Sequence, residues 1–353
     1  MLGVILAAQT LWRVLAATLV LGATLSSCDL PGWLQEGTSP APPPSEAPSA
    51  APEPDAPTQS GAAQVAVYMG WRNVSGVESF SDWLGTPVWA HDFLDHRRGW
   101  EAVADPRAQL EAWERWVTQS DDPRLVLSVP LLIDAAAGDH SGGAAGAYDQ
   151  HFERLARALV DHGLENTVIR LGWEFNGNTF PWQVQPQQIS DYKRFWSRVV
   201  GVMRAVPGAE FQFDWCPNIT LDATGLPFAE LYPGDDVVDI IGLGFYDYYW
   251  GHPKATPEAR WAWLRDVDNG LADHRNFAAR RNKPTSFPEY GLWEQGTSTG
   301  GGGDDPYFIQ QLAAWIDAGN VAYHGYNNVD ATADHRLDSY PEGREAYLEA
   351  FGG

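Results

Sequence analysis

From residue 64 onward, short runs of apolar, β-favouring residues alternate with longer stretches in which apolar positions recur every three to four residues. The short runs fall at 65–69, 87–90, 125–129, 167–171, 211–215, 238–243, 285–288 and 321–325. Most are continuously apolar rather than alternating, as expected of parallel strands buried on both faces. Between them the spacing predicts helices over 100–117, 148–162, 187–205, 257–281 and 306–318. The last is opened by Asp304 and Asp305 ahead of Pro306, a capping residue followed by proline in the first turn. Eight β/α repeats over about 290 residues predict an α/β fold of the (β/α)8 TIM-barrel type. The competing doubly wound sheet would carry a Gly-rich phosphate loop after its first strand. Here that position reads Tyr68-Met69-Gly70-Trp71-Arg72, and no nucleotide-binding glycine pattern occurs anywhere.

The chain ahead of residue 64 has no such rhythm. Residues 1–27 read as an export signal, with Arg13, an apolar run over 14–25 and then small residues. Leu25-Ser26-Ser27-Cys28 is similar to the bacterial lipoprotein signal, so Cys28 is expected to be lipidated and to become the mature N-terminus; a plainly secreted product or an uncleaved anchor are the alternatives. Residues 28–63 form a Pro/Ala/Ser-rich spacer with too few large apolar side chains for a core. The expected organisation is signal, linker and one barrel domain over 64–353. Membrane contact is expected only through the lipid anchor, and the domain is expected to be a monomer.

In a barrel of this kind the chemistry sits at the C-terminal ends of the strands. The residues there are Gly70-Trp71, His91-Asp92, Asp134, Trp173-Glu174-Phe175-Asn176, Trp215-Cys216-Pro217-Asn218, Tyr246-Asp247, Glu289-Tyr290 and Tyr326-Asn327-Asn328, nearly all polar or aromatic. Two glutamates stand out: Glu174 after the fourth strand and Glu289 after the seventh, both in aromatic, uncharged surroundings. Strands four and seven nearly face each other across a barrel mouth, so the two carboxylates can converge on one bond. Glycosidic cleavage needs such a pair, one to protonate the leaving oxygen and one to attack or to activate water.

Composition sharpens this picture. The chain has 17 Trp and 13 Tyr, far more tryptophan than a typical soluble protein carries. Some must fill the core, and others can line a groove in which sugar rings stack. The formal charge of −23 repels phosphate backbones, so nucleic acid is not an expected partner and a neutral glycan is. With only Cys28 and Cys216, neither a disulfide framework nor a cysteine metal site is expected, and no cofactor is implied.

The stretch Arg170…Glu174-Phe175-Asn176-Gly177…Phe180-Pro181-Trp182 resembles the acid/base segment of glycoside hydrolase family 26, a group of β-mannanases and related β-glycanases within the retaining (β/α)8 glycosidases. Pro288-Glu289-Tyr290-Gly291 is similar to the family's nucleophile segment, and Asp239-Ile240-Ile241-Gly242…Tyr246-Asp247 to its sixth strand. The resemblance implies Glu174 as acid/base and Glu289 as nucleophile, with Tyr246 donating a hydrogen bond to Glu289. It implies a retaining hydrolase of β-mannan or a related β-glycan, and the many aromatic residues favour endo action on a chain. Trp173 stands where the family commonly has His, a departure that bears on the sugar rather than on the mechanism.

Glu174 has to be protonated at the start and Glu289 charged, which apolar neighbours such as Trp173 and Phe175 favour for the first and Tyr246 or Arg170 for the second. Arg170 is equally open to a purely structural pairing. Sugar contacts are expected from Trp71, Trp173, Trp182, Trp215, Tyr248, Trp250 and Trp293, and from the polar groups His91, Asp92, Asn176, Asn218 and Asp247, although Asp247 is also placed to cap a turn. The glycine-rich stretch 296–305 reads as a flexible loop bordering the cleft or as an ordinary loop. Two rival readings stand: a non-catalytic carbohydrate-binding lipoprotein on the same barrel, and a metal-dependent hydrolase. The latter needs His/Asp clusters at several strand ends, whereas the nine His are scattered.

Overall fold

The computed structural model describes residues 62–120, 123–219, 224–296 and 300–353. The export signal, Cys28 and nearly all of the linker lie outside the described residues. Among the described residues no helix is long and apolar enough to cross a membrane.

Eight strands close into a parallel barrel in sequence order. They are β1 (Gln64–Tyr68), β2 (Trp89–Phe93), β3 (Leu125–Val129), β4 (Val168–Leu171), β5 (Gln212–Trp215), β6 (Ile240–Gly242), β7 (Thr285–Tyr290) and β8 (Val321–Asn327). β1 pairs with β8, Val65 opposite His324 and Tyr68 opposite Asn327, which leaves no free edge. The expected (β/α)8 architecture is thus what the chain adopts.

The helices are α1 (Val74–Leu84), α2 (Trp100–Ala104), α3 (Arg107–Val117), α4 (His140–Ala144), α5 (Asp149–Asp161), α6 (Ile189–Arg204), α7 (Phe228–Leu231), α8 (Pro257–Asp266), α9 (Leu271–Ala279), α10 (Pro306–Asp317) and α11 (Pro341–Phe351). Two helices expected to be continuous are broken. Over 100–117 the break falls at Asp105, whose φ of −141° and ψ of 73° are non-helical, and the following Pro106 disfavours the helical conformation there. Over 257–281 it falls between Asp266 and Leu271. α1 was not expected, although Val74, Val77, Phe80 and Leu84 recur every three to four residues; the Asn73 side chain caps it by accepting from the Gly76 N–H, and Gly85 ends it at a φ of 74°.

Strand parity decides which side chains reach the barrel interior, because successive residues of a strand point to opposite faces. Ala66, Val126, Val168, Ile240 and Tyr323 form one apolar layer inside the barrel. One pleat further toward the mouth the interior turns polar. His91 Nε2 lies 2.9 Å from Ser128 Oγ, and Arg170 Nη1 donates to that same hydroxyl at 3.3 Å. Asp214 accepts from Ser286 at 2.5 Å and from Tyr323 at 2.6 Å. The outward set of the same strands, including Leu127, Ile169, Phe213 and Trp215, packs into the shell between sheet and helices.

β7 departs from the simple alternation. Phe287 aligns with His324 and Tyr290 with Tyr326, so three steps along β7 match two along β8. This bulge leaves both Phe287 and Tyr290 facing the helical layer, the first against His274 of α9 and the second against Tyr347 of α11. Glu289, between them, is thereby turned inward. Gly325 of β8 accommodates the bulge, since a Cβ there would stand 2.4 Å from the Pro288 carbonyl oxygen.

Candidate active site

Glu174 sits in the turn after β4. Gly172 N–H donates to the Val129 carbonyl of β3 at 2.8 Å and Glu174 N–H to the Cys216 carbonyl beyond β5 at 2.9 Å, so the turn is fixed from both neighbouring strands. That bracing holds Glu174 at a φ of 53°, a left-handed conformation that a glutamate adopts only when the surroundings impose it. Its side chain is 7% exposed, and Oε1 accepts from Asn218 Nδ2 at 2.6 Å. Burial, reinforced by the charge of Glu289, pushes the Glu174 carboxyl up to about 7, against the opposing pull of Arg170 and the Asn218 hydrogen bond.

Glu289 lies inside β7 rather than after it, one residue from the strand's end. Its carboxylate accepts from Tyr246 Oη at 2.6 Å on Oε1 and from Arg170 Nη1 at 2.6 Å on Oε2. Arg170 is fully buried in the interior of β4 and stays charged. Its ion-pair partner is Glu289. Tyr246 is fixed in turn by Asn327 of β8, whose Nδ2 donates to its Oη at 2.5 Å, and by His335, whose ring stacks on it at 4.6 Å. Gly244 keeps the floor between the two carboxylates open, because a Cβ there would lie 3.4 Å from both Arg170 Nη2 and Glu174 Oε1.

The other expected contact residues divide sharply. Trp71, 49% exposed, and Trp173, the chain neighbour of Glu174, line a cavity of about 410 Å³ together with Tyr68, Phe93 and His96. Trp250 is 60% exposed after β6, and half-buried Trp293 packs edge-on against Tyr246 at 5.3 Å. Among the described residues these two, Trp71 and Trp250, are the exposed tryptophans.

Several expectations of direct sugar contact are corrected. Trp215 is on the outward parity of β5, fully buried, its Nε1 donating to Tyr192 of α6. Trp182 is also fully buried and donates to the Trp173 carbonyl, so it supports Trp173 rather than a sugar. Tyr248 is buried and bridges to Gly301. Asp92 is on the outward parity of β2 and accepts from Trp113 of α3 and from the N–H groups of Arg72 and Phe93. Asn176 is consumed in a reciprocal pair with the Asn218 backbone, donating to its carbonyl at 2.7 Å and accepting from its N–H at 2.8 Å, which positions Asn218. His91 lies beneath the mouth, kept neutral by burial and by Arg170. Asp247 is buried in an ion pair with Arg260 at 2.9 Å, and Arg260 also binds Asp305.

The described part of the glycine-rich stretch, Gly300 to Asp305, is not a loose loop. Gly302 N–H donates to the Asp247 carbonyl, and a Cβ on Gly302 would collide with the Asp247 carboxylate at 1.9 Å. Three residues were not singled out from the sequence: Asn327 and His335, which hold Tyr246, and Tyr68, which lines the cavity. Asn327 had the one available signal, an amide at the end of the eighth strand. Among the described residues no group of three or more His, Cys, Asp or Glu is placed to hold a metal ion.

Residues 98–261 match the model of glycosyl hydrolase family 26. That segment carries Arg170, Glu174, Asn218 and Tyr246 but ends before Glu289. Over 193 residues the chain is 26% identical to a mannan endo-1,4-beta-mannosidase of Bifidobacterium adolescentis, a match covering 52% of this chain and 19% of that much longer protein. Among solved structures, the catalytic domain of a Bacillus sp. JAMB-750 family 26 endo-β-1,4-mannanase superposes with a TM-score of 0.60 at 19% identity, covering 83% of this chain and 87% of that one. A family 26 β-mannanase from Bacteroides ovatus gives 0.56 at 14% identity, over 82% and 88%. At these identities the structural likeness speaks for the fold, and the family model for the sequence. The segment that supplies Arg170, Glu174, Asn218 and Tyr246 is similar to glycosyl hydrolase family 26 over somewhat less than half of the chain.

Proposed function

We propose that the protein is a retaining, endo-acting hydrolase of β-mannan or a closely related β-glycan. The observation that carries this reading is the different setting of two carboxyl groups at the barrel mouth. Glu289 is held by the Arg170 guanidinium and the Tyr246 phenol, while burial favours the protonated form of Glu174 near neutral pH. In this mechanism the Glu289 carboxylate attacks the anomeric carbon as the bond to the leaving oxygen breaks, and Glu174 delivers its proton to that oxygen. Water then attacks the glycosyl ester, Glu174 takes the water's proton, and Glu289 departs as a carboxylate. Tyr246 and Arg170 orient the nucleophile in both steps.

The exposed tryptophans Trp71 after β1 and Trp250 after β6 favour endo action. They stand on well-separated sides of the mouth, so a chain passing over the glutamates meets an aromatic face in either direction. The family relatives favour mannan, and export with lipid anchoring at Cys28 would place the enzyme where a polymer is met.

The test is to incubate the full chain with β-mannan, β-glucan and xylan and follow the anomeric configuration of the first product by NMR. A β-configured product from a β-linked chain, lost by about three orders of magnitude or more in Glu174→Gln and Glu289→Gln, is expected. Inverted product overturns the nucleophile assignment. Polysaccharide binding without any cleavage would move the protein to the carbohydrate-binding reading.

A further inference from the structure

Beyond the glutamates, the cleft continues past Trp173 and Trp71 into a second cavity of about 340 Å³ that shares Trp71, Asp95 and Arg98 with the first. The charge of this arm is opposite to that of the protein. The chain as a whole carries 46 acidic residues against 23 basic ones. The arm is lined by Arg72, Arg97, Arg98 and Arg107 against Asp95 and Asp105.

Two of these cations are already matched. Arg97 binds Asp95 through Nε at 2.8 Å and Nη2 at 3.1 Å, and Arg107 binds Asp105 at 3.3 Å. The other two have no carboxylate partner among the described residues. The Arg72 guanidinium lies over the Trp71 ring, 4.5 Å from its centroid. The Arg98 side chain projects exposed between the two cavities.

The backbone is arranged to hold this pair of groups in place. Arg72 adopts a φ of 54°, and its N–H is fixed on the buried Asp92 carboxylate, which Trp113 anchors from α3. Trp71 Nε1 donates to Gln109 of α3 at 3.2 Å. Arg72 covers one face of Trp71 and, with Arg98, lines the second cavity. A sugar seated in that cavity would present its exocyclic group to two unmatched guanidinium groups.

We infer that this arm, lined by Trp71, Arg72 and Arg98, is a subsite for an acidic sugar, a uronic acid unit whose carboxylate is met by the two arginines. The inference rests on the glycosidase reading and names a substituent that the cleaved chain carries. Guanidinium suits a planar carboxylate because it offers two parallel N–H donors. A neutral hydroxymethyl group would leave both arginines without a counter-charge. The net negative charge of the protein disfavours a polyanion at long range, so the arm selects a chain bearing such units rather than attracting anions generally.

The test compares two ligands that differ only at C6: β-1,4-linked mannohexaose and the β-1,4-linked mannuronate hexamer. Binding to the full chain carrying Glu289→Gln is measured calorimetrically at low salt and at about 0.5 M NaCl, where exposed ion pairs are screened. We expect the acidic hexamer to bind about tenfold more tightly at low salt, the scale of one well-formed charge-assisted pairing. The preference should collapse to about twofold in the high-salt buffer and in the Arg72→Gln/Arg98→Gln double variant, whose melting temperature should match the parent's. Equal or weaker binding of the acidic hexamer, binding of neither, or a preference that survives the double variant overturns the inference. Hydrolysis of neutral mannan by the wild-type chain tests the glycosidase reading separately. Cleavage without acidic preference leaves that reading standing alone, and acidic preference without cleavage of any glycan removes it while leaving the binding site.

Discussion

Tyr246 Oη and Glu289 Oε1 are joined by a 2.6 Å hydrogen bond across the gap between β6 and the bulged end of β7. The donor does not stand alone, since Asn327 donates to the same phenol oxygen and fixes the direction in which its proton points. Burial and the adjoining charge of Glu289 hold the Tyr246 phenol well above its ordinary range, so it remains a donor throughout the working pH range. Removing it as Tyr246→Phe should lower kcat/KM roughly tenfold to a hundredfold, the worth of one hydrogen bond to a charged group, with the fold intact. Steady-state kinetics on a soluble mannan or glucan check this. An unchanged rate would mean that Arg170 alone aligns the nucleophile.

The pH profile of activity should carry the signature of Glu174. Burial places its carboxyl near 7, and the proton it gives away is lost above that pH, so kcat/KM should fall on the alkaline side of about 7. Asn218 opposes the shift by hydrogen bonding to the charged form. In Asn218→Ala that opposition disappears, the Glu174 carboxyl rises further, and the alkaline limb should move to higher pH even as the rate falls. A limb that moves to lower pH, or not at all, would assign the titration to another group.

Arg260 should matter for stability far from the chemistry. It is the cation between Asp247 and Asp305, both buried. Arg260→Met removes the cation that both buried side chains bind and should cost about 3–5 kcal/mol at pH 7 in denaturant unfolding. Burial and then the Asp305 charge already lift the Asp247 carboxyl to about 8, above its unfolded value of 3.8. The native state therefore holds a proton that the unfolded chain releases, and this contribution to stability is present at acid pH and fades as pH rises from about 4 to 8. Without Arg260 the window extends upward, so the variant should be closest to wild type near pH 4 and furthest from it at pH 8.

The tryptophans should separate into two kinds. Trp71→Ala should raise KM roughly tenfold with kcat within about twofold, because an exposed ring binds substrate and transition state alike. Trp182→Ala empties a fully buried site and should instead lower unfolding stability by about 3–5 kcal/mol. A Trp182→Ala protein of normal stability and raised KM would reverse the assignment.

The sequence alone makes the barrel legible, because eight mostly continuous apolar runs separated by helical spacing leave few ways to bury both faces of each strand. It also brought Glu174, Glu289, Tyr246 and Arg170 forward, since polar residues at strand ends and a short family resemblance are local properties of the chain. What it left open was direction. Asp92 and Trp215 stand beside inward-facing residues in sequence yet point to the helices, and only the pairing register fixes which parity faces the interior. Strand ends misjudged by two or three residues, as at β2 and β7, are enough to lose that parity. The bulge in β7 was beyond any local reading: Glu289 and Phe287 share a parity in the sequence and opposite faces in the fold, because between Phe287 and Tyr290 β7 takes three steps to the two of β8. The network behind the nucleophile was equally hidden, since Asn327 meets Tyr246 across 81 residues of chain. Spacing along a sequence carries no information about such distances until the barrel closes.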